Sequence, residues 1–302
     1  MTADPTGHRH VLRAPRAAAE ITELGASLRA LRVDDVDLVP RYPDGTPTPA
    51  ASGIVLVPWP NRVRDGSWTQ RGTQYQLAIT EPKLGNASHG LLRFAPYRVV
   101  SSTVDAVALE ADVFPQTGYP FHLRTRVTYT LGDDGIDVVH EVVNVGTADA
   151  PVALGAHPYL CLSDVPTADL ALELDAQRWY PVDERSLPLG DPVPVDEAHD
   201  LRTPRRVGDL QLDTAYTDLR RAGDGRVRAV LHAPDGRRVE LWGDEHISHL
   251  QVFTTDRYPG HDLAVAVEPM TAPADALNSG RDLRWLAPGD SWRVTWGIFY
   301  AR

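Results

Sequence analysis

Leu123-Arg124-Thr125-Arg126-Val127-Thr128-Tyr129-Thr130-Leu131 sets an apolar or small residue against a polar one at almost every step. A strand turns successive side chains to opposite faces, so this period of two predicts a strand with one buried and one wet face. Asp134-Gly135 then supplies a turn and Ile136 to Val145 a second run, which together predict a β-meander. The signal recurs. Arg226 to Trp242 holds two extended runs around Pro234-Asp235-Gly236, and Trp292, Val294, Trp296 and Ile298 point one way near the end. No stretch of three or more turns carries an apolar stripe at helical spacing. The expected class is therefore all-β, a sandwich of large antiparallel sheets with few short helices, because alternating faces need a second layer to cover them.

Composition sets the outer bounds. Hydrophobic residues at 42% and charged residues at 24% are the mix of a globular chain with a sizeable core. The 25 prolines and 23 glycines are spread throughout, so no linker divides residues 1–302, and one domain is expected, flexible over about its first 8 residues. A net charge of −11 repels polyanions, which argues against a nucleic-acid partner. No run of about 18 apolar residues exists, and Met1 to His10 holds Asp4, Pro5 and two histidines where a signal peptide needs an apolar stretch. The expectation is a cytoplasmic protein without membrane contact, monomeric or homodimeric. Cys161 is the single cysteine, which excludes an intrachain disulfide and a thiolate metal cluster. Pro40 to Gly53, with four prolines, reads as a loop that decorates the surface or rims a cleft.

Nucleotide, zinc-protease and esterase signatures are missing. What remains is a set of polar residues interrupting apolar or Pro/Gly-rich surroundings. Pro58-Trp59-Pro60-Asn61-Arg62 stiffens the backbone and delivers a guanidinium able to fork onto hydroxyls. Asn86-Ala87-Ser88-His89-Gly90 and Gly155-Ala156-His157-Pro158-Tyr159 each set a histidine beside small or turn-forming residues, and imidazole exchanges protons near neutral pH. Glu268 ends the apolar run Ala264 to Val267; burying an unpaired carboxylate costs several kcal/mol, roughly, so a buried strand has reason to carry one only if it is satisfied or functional. It is the strongest candidate base. His246 with His249, and His8 with His10, lack the carboxylates or cysteines of a metal site and read as surface histidines.

In order along the chain, Asn61-Arg62, Ser88-His89-Gly90, Ala156-His157-Pro158-Tyr159, Gln251-Val252-Phe253-Thr254 and Val267-Glu268 leading to Asp275-Ala276-Leu277-Asn278 resemble the aldose 1-epimerase, or galactose mutarotase, family. The resemblance runs from Gly25-Ala26-Ser27-Leu28 to Trp296-Gly297 and implies a β-supersandwich with an open sugar cleft. It implies Glu268 as catalytic base, His157 as catalytic acid, His89 assisting, and Arg62, Gln251 and Asn61 as sugar contacts, with no cofactor and no metal. Asp213 matches the aspartate that holds ring hydroxyls, with Asp218 as a rival. Of the nearby aromatics Trp59, Tyr159, Trp242 and Phe253, the first two are expected to line the cleft and the others to be core.

The second histidine segment lacks the Asn-Leu continuation common in the family, and Thr255-Asp256 stands where many members have Gly-Asn. These departures look closer to a bacterial branch that includes sulfoquinovose mutarotase-like proteins. Three alternatives stay open at this point. A hexose-6-phosphate epimerase would use Arg64 and Arg93 for the phosphate, a non-catalytic module would bind sugar without anomer exchange, and a glycosidase would use Asp213 as a second carboxylate.

Overall fold

In the computed structural model, which describes residues 4–302, the alternating run forms the strand Leu123–Leu131 and pairs along its whole length with Gly135–Asn144. Its apolar residues and Thr125 are buried, and its arginines face solvent. Burial of that alternating face holds the register, since a slip of one residue would turn every arginine inward. Gly135–Asn144 pairs in turn with the C-terminal strand Ser291–Ala301, which buries Trp292, Val294, Trp296 and Ile298 as expected. These three strands are the middle of a nine-stranded antiparallel sheet, which Arg238–Gly243 and Val227–His232 extend on one side and Ala106–Val113 on the other.

A second large sheet carries the chemistry-bearing motifs. From the strand Ala176–Trp179 its order runs through Asp213–Leu219, His249–Thr255, Ala264–Met270 and Gly155–Ala156 to Val55–Leu56. All seven residues of Ala264–Met270 are buried, so Glu268 lies in a central strand with protein on both faces. One hydrophobic core runs from Leu12 to Tyr300 and joins this sheet to the first. The only α-helix among the described residues is Ala276–Ser279. None is long and apolar enough to cross a membrane. Of the stretch expected to be flexible, residues 1–3 lie outside the described residues, whereas Thr6 is fully buried and bonded to Asp4.

Two glycines let loops approach the second sheet closely. Gly53 has φ +69°, and a Cβ there would stand 2.2 Å from the Leu28 carbonyl oxygen; its N–H donates to the His157 carbonyl at 2.8 Å. Gly90, directly after His89, has φ +72°, and a Cβ would stand 2.0 Å from the Val57 carbonyl oxygen. An alanine at a position of positive φ is strained even without such a clash. Gly90→Ala is therefore expected to cost more than about 1 kcal/mol of stability and to lower the thermal unfolding midpoint; an unchanged midpoint would show that the turn does not need glycine.

Candidate active site

Cross-strand register brings the two principal candidates together. Gly155 lies opposite Met270 and Tyr159 opposite Ala266, which puts His157, between them, level with Glu268 on the neighbouring strand. His157 Nε2 lies 3.3 Å from Glu268 Oε1, and the two side chains are only 6% and 3% exposed. On the other flank Gln251 pairs directly with Glu268, and Asp213 pairs with Phe253, two residues along from Gln251. Residues two apart share a face, so Glu268, Gln251, Phe253 and Asp213 all project from one side of the sheet. Asp213 borders the resulting cleft; Asp218, exposed and five positions further along the strand, does not.

The opposite wall comes from turns. Ala50 and Ala51 of the proline-rich loop, Asn61 and His89 border the cleft, and all four are non-glycine residues at positive φ. Such backbone costs of order 1–3 kcal/mol per residue and persists where surrounding contacts hold it. Here those contacts are visible. The His89 N–H donates to the Asn61 carbonyl at 2.8 Å, and the His157 N–H donates to the Ile54 carbonyl at 3.1 Å. The two imidazoles meet edge to face, with ring centroids 5.4 Å apart.

A polar chain runs along the cleft. Arg62 donates to Glu81 through Nε (2.9 Å) and Nη2 (3.2 Å), and to Asn61 Oδ1 at 3.3 Å. Asn61 Nδ2 donates to Gln251 Oε1 at 3.3 Å, and Gln251 Nε2 donates to Asp213 Oδ1 at 2.6 Å. Arg62 Nη2 closes the circuit 3.5 Å from Asp213 Oδ2. Fixed in this way, Arg62, Asn61 and Asp213, which border the cleft, need no reorganisation to meet a ligand's hydroxyls, whereas Gln251 is buried and braces Asn61 and Asp213.

Burial dominates the electrostatics. It pushes the His157 imidazole down to about 3, helped by the positive charges of Arg93 and Arg62. The same burial, with His157 and both arginines adding to it, holds His89 well below its ordinary value. Glu268 moves the other way: burial first and the Asp213 charge second hold its carboxyl well above the usual range, with Arg62 opposing. For Arg62 burial works against the charge, but Asp213, Glu81 and Glu268 outweigh it and raise its pKa. Burial thus works against the charged form of both groups, raising the carboxyl and lowering the imidazole. His89 Nδ1, His157 Nδ1 and Glu268 Oε2 have no hydrogen-bond partner in the protein. Buried polar atoms are normally satisfied, and leaving these three unpaired is a cost that the site carries.

The cleft measures about 270 Å³, near the lower end of the range for small-molecule sites. A family model for aldose 1-epimerase matches residues 8–298. The chain belongs to the aldose 1-epimerase family. Among its relatives, the uncharacterized protein YihR of Escherichia coli (strain K12) is 33% identical over 287 residues, 94% of this chain and 90% of that protein. The galactose mutarotase of Sus scrofa is 32% identical over 208 residues, spanning 63% of this chain and 58% of its own length. A galactose mutarotase-like protein from Clostridium acetobutylicum superposes with a TM-score of 0.87 at 17% identity, covering 99% of this chain and 96% of that one. The GalM/aldose epimerase homologue from C. elegans does so at 0.84 and 18%, covering 99% of each chain. At those identities the superpositions speak for the β-supersandwich fold.

Several sequence expectations for this aldose 1-epimerase family member need correction. Trp59 does not line the cleft; it is buried in the core beside Tyr119 and faces another side of its loop. Tyr159 is fully buried behind His157, stacked on it at 5.4 Å between ring centroids, so it supports the imidazole from the protein side. Proline stiffening and sequence adjacency suggested cleft positions for both, but each ring points into a core. The aromatic ring that does border the cleft is Phe253, expected in the core. His249 is fully buried with Nε2 2.9 Å from Asp282, and is not a surface histidine. One residue joins the site unforeseen, Glu81, the partner of Arg62, whereas Arg93, expected as a phosphate contact, stands in the cleft wall. Arg64, its companion in that expectation, pairs instead with Asp183 and Asp275 outside the cleft.

Proposed function

We propose that this protein is an aldose 1-epimerase that interconverts the α and β anomers of a free aldohexose or a closely related sugar, with Glu268 as the base and His157 as the acid. The observation that carries the reading is the 3.3 Å approach of these two buried groups at a cleft lined with donors and acceptors for hydroxyls. Asp213, Asn61 and Arg62 would hold the ring hydroxyls, with Gln251 bracing Asp213 and Asn61, and His89 would support the ring-oxygen side.

The chemistry closes on these groups. The Glu268 carboxylate takes the proton of the C1 hydroxyl, that oxygen forms the carbonyl, and the C1–O5 bond breaks with its electron pair going to O5. His157, as imidazolium, gives its proton to O5. Rotation about C1–C2 turns the other carbonyl face to O5, and reversal of both proton transfers closes the ring to the other anomer. The family resemblance matches the two ends of that exchange to Glu268 and His157.

A second reading, in which the sugar carries an anionic substituent, is favoured by Arg93. It borders the cleft, makes no ion pair among the described residues, leaves Nε buried without a partner, and rests over Phe94 at 4.6 Å. Burial lowers its pKa against the single nearby charge of Glu81. An unmatched guanidinium complements a phosphate or sulfonate.

One assay addresses both readings. Anomerically pure glucose, galactose, glucose 6-phosphate and sulfoquinovose are followed by NMR exchange with the parent protein and with Arg93→Gln. Catalysed exchange of at least one sugar is expected; acceleration of none would overturn the epimerase reading. If the anionic reading holds, Arg93→Gln weakens kcat/KM for the anionic sugars by about tenfold or more, the scale of one lost charge-assisted pair, and leaves the neutral ones within about twofold.

A further inference from the structure

We propose that the protein carries an anion-binding site outside the catalytic cleft, built from Arg9, Arg29 and Arg41, which takes a tetrahedral oxyanion such as a phosphate, a sulfate or the phosphoryl group of a sugar. The Asp44 carboxylate occupies the place of that ligand. The site is independent of the epimerase reading and of what the cleft over Glu268 binds.

An irregular strand pairing starts the site. In the four-stranded sheet formed by the first part of the chain, Ile21 lies opposite Leu28 and Glu20 opposite Ala30, so the register skips Arg29. A bulge of this kind re-aims a side chain. Arg29 shares a cavity of about 280 Å³ with Arg9, Arg41, Glu20, Tyr42 and Asp44, and that cavity has no lining residue in common with the cleft. The Arg29 side chain is only 5% exposed. A guanidinium keeps its charge at any pH near neutral, and a buried charge needs a committed partner. The Tyr42 ring, 3.9 Å from the guanidinium carbon to its centroid, and the Tyr42 carbonyl, which accepts from Nη2 at 3.0 Å, hold Arg29 in place. Its carboxylate partners hold it less well. Glu20 lies 3.8 Å from Nε and is shared with Arg9 at 3.9 Å and Arg41 at 3.2 Å. Asp44 accepts from Nη2 at 3.1 Å but is 81% exposed. The cation is fixed, and the anion that answers it hangs from a surface loop.

Asp44 leaves donors unused. Arg9 Nη1, at 2.6 Å, and Arg29 Nη2 both donate to the same oxygen, Oδ1, while Arg9 Nε and Arg29 Nη1 are buried without a hydrogen-bond partner. A tetrahedral oxyanion offers acceptor oxygens in directions that a planar carboxylate lacks, and guanidinium forks suit it. The charge count agrees. Within the lining three guanidinium groups face the carboxylates of Glu20 and Asp44, and Asp4 and Asp37 pair with Arg9 and Arg41 from outside the cavity. With Asp44 swung out, the three cations face Glu20 alone. An ion pair with so exposed a partner contributes little to stability, so an incoming anion displaces Asp44 at small cost.

The test titrates inorganic phosphate, sulfate and glucose 6-phosphate, followed by NMR, into the parent protein and into Asp44→Asn, Arg41→Gln and Arg93→Gln. The first variant removes the internal competitor, the second a half-exposed cation of the cavity wall, and the third reports binding in the catalytic cleft instead. Asp44→Asn is expected to tighten phosphate about tenfold or more, Arg41→Gln to weaken it about tenfold, and Arg93→Gln to leave it within about twofold. Tightening by Asp44→Asn is the decisive sign, since an aspartate that only braces the sheet gives none, and its exposed position keeps that variant folded should Arg41→Gln fail to fold. Phosphate that does not saturate either the parent or Asp44→Asn, an affinity that Asp44→Asn leaves unchanged or weakens, or binding that Arg93→Gln abolishes would overturn the site. The double variant Asp44→Asn with Arg93→Gln separates the sources of the anion. There, glucose 6-phosphate tighter than phosphate supports a site for a phosphorylated sugar, and phosphate or sulfate at least as tight supports a site for the free ion.

Discussion

Glu268→Gln lowers kcat for anomer exchange by about 10²–10⁴-fold, the contribution of a positioned proton acceptor, and leaves the fold intact. The amide has the shape of the carboxyl group but cannot take the C1 proton at any pH near neutral. Its stability signature has a definite sign. Burial raises the pKa of Glu268 in the folded state, so its contribution is complete below the ordinary carboxylate pKa of the unfolded chain and is lost as pH rises through the folded value. Glutamine carries no such dependence. The difference in thermal midpoint, variant minus parent, is therefore expected to grow as pH rises. Polarimetry of α-glucose or α-galactose, followed alongside calorimetry over that pH range, checks both parts. A variant that equilibrates either sugar at the parent rate would remove Glu268 from the mechanism.

His157→Asn is expected to lose activity on the same scale, about 10²–10⁴-fold, because the ring oxygen then leaves without a proton donor. Asparagine keeps a polar group at the cleft floor but cannot exchange a proton. What separates a direct role from damage to the sheet is the double variant. If Glu268 and His157 act as one unit, their losses are strongly non-additive, and Glu268→Gln with His157→Asn is hardly slower than the worse single variant. Fully multiplicative losses would mean that the two groups act independently. The parallel stacking of Tyr159 against the imidazole gives a milder control: Tyr159→Phe keeps the ring and loses only the hydroxyl, which donates to the Ala50 carbonyl at 3.3 Å.

Much of this site was written locally. Alternation along Leu123–Leu131 predicted a strand with one buried face because period two is a property of the extended chain itself, independent of what packs on it. Glu268 stood out because a carboxylate at the end of Ala264–Val267 contradicts its apolar neighbours, and that contradiction is visible without coordinates. The order of the short polar segments carried the family and, with it, His157, His89, Arg62 and Asp213.

Partnerships were not written there. His157 and Glu268 are 111 positions apart in the numbering and meet only through strand register, which depends on the pairing of Gly155 with Met270 and of Tyr159 with Ala266. Glu81 reaches Arg62 because the strands Arg62–Arg64 and Asn86–Ser88 pair and a turn folds back beside them. The direction of an aromatic ring depends on which cavity its loop faces, and for that reason Trp59 and Tyr159 went to the core while Phe253 came to the cleft. Local pattern specifies which face of a segment avoids water. Which distant groups come together in one cleft follows from long-range packing, for which no single segment holds the information.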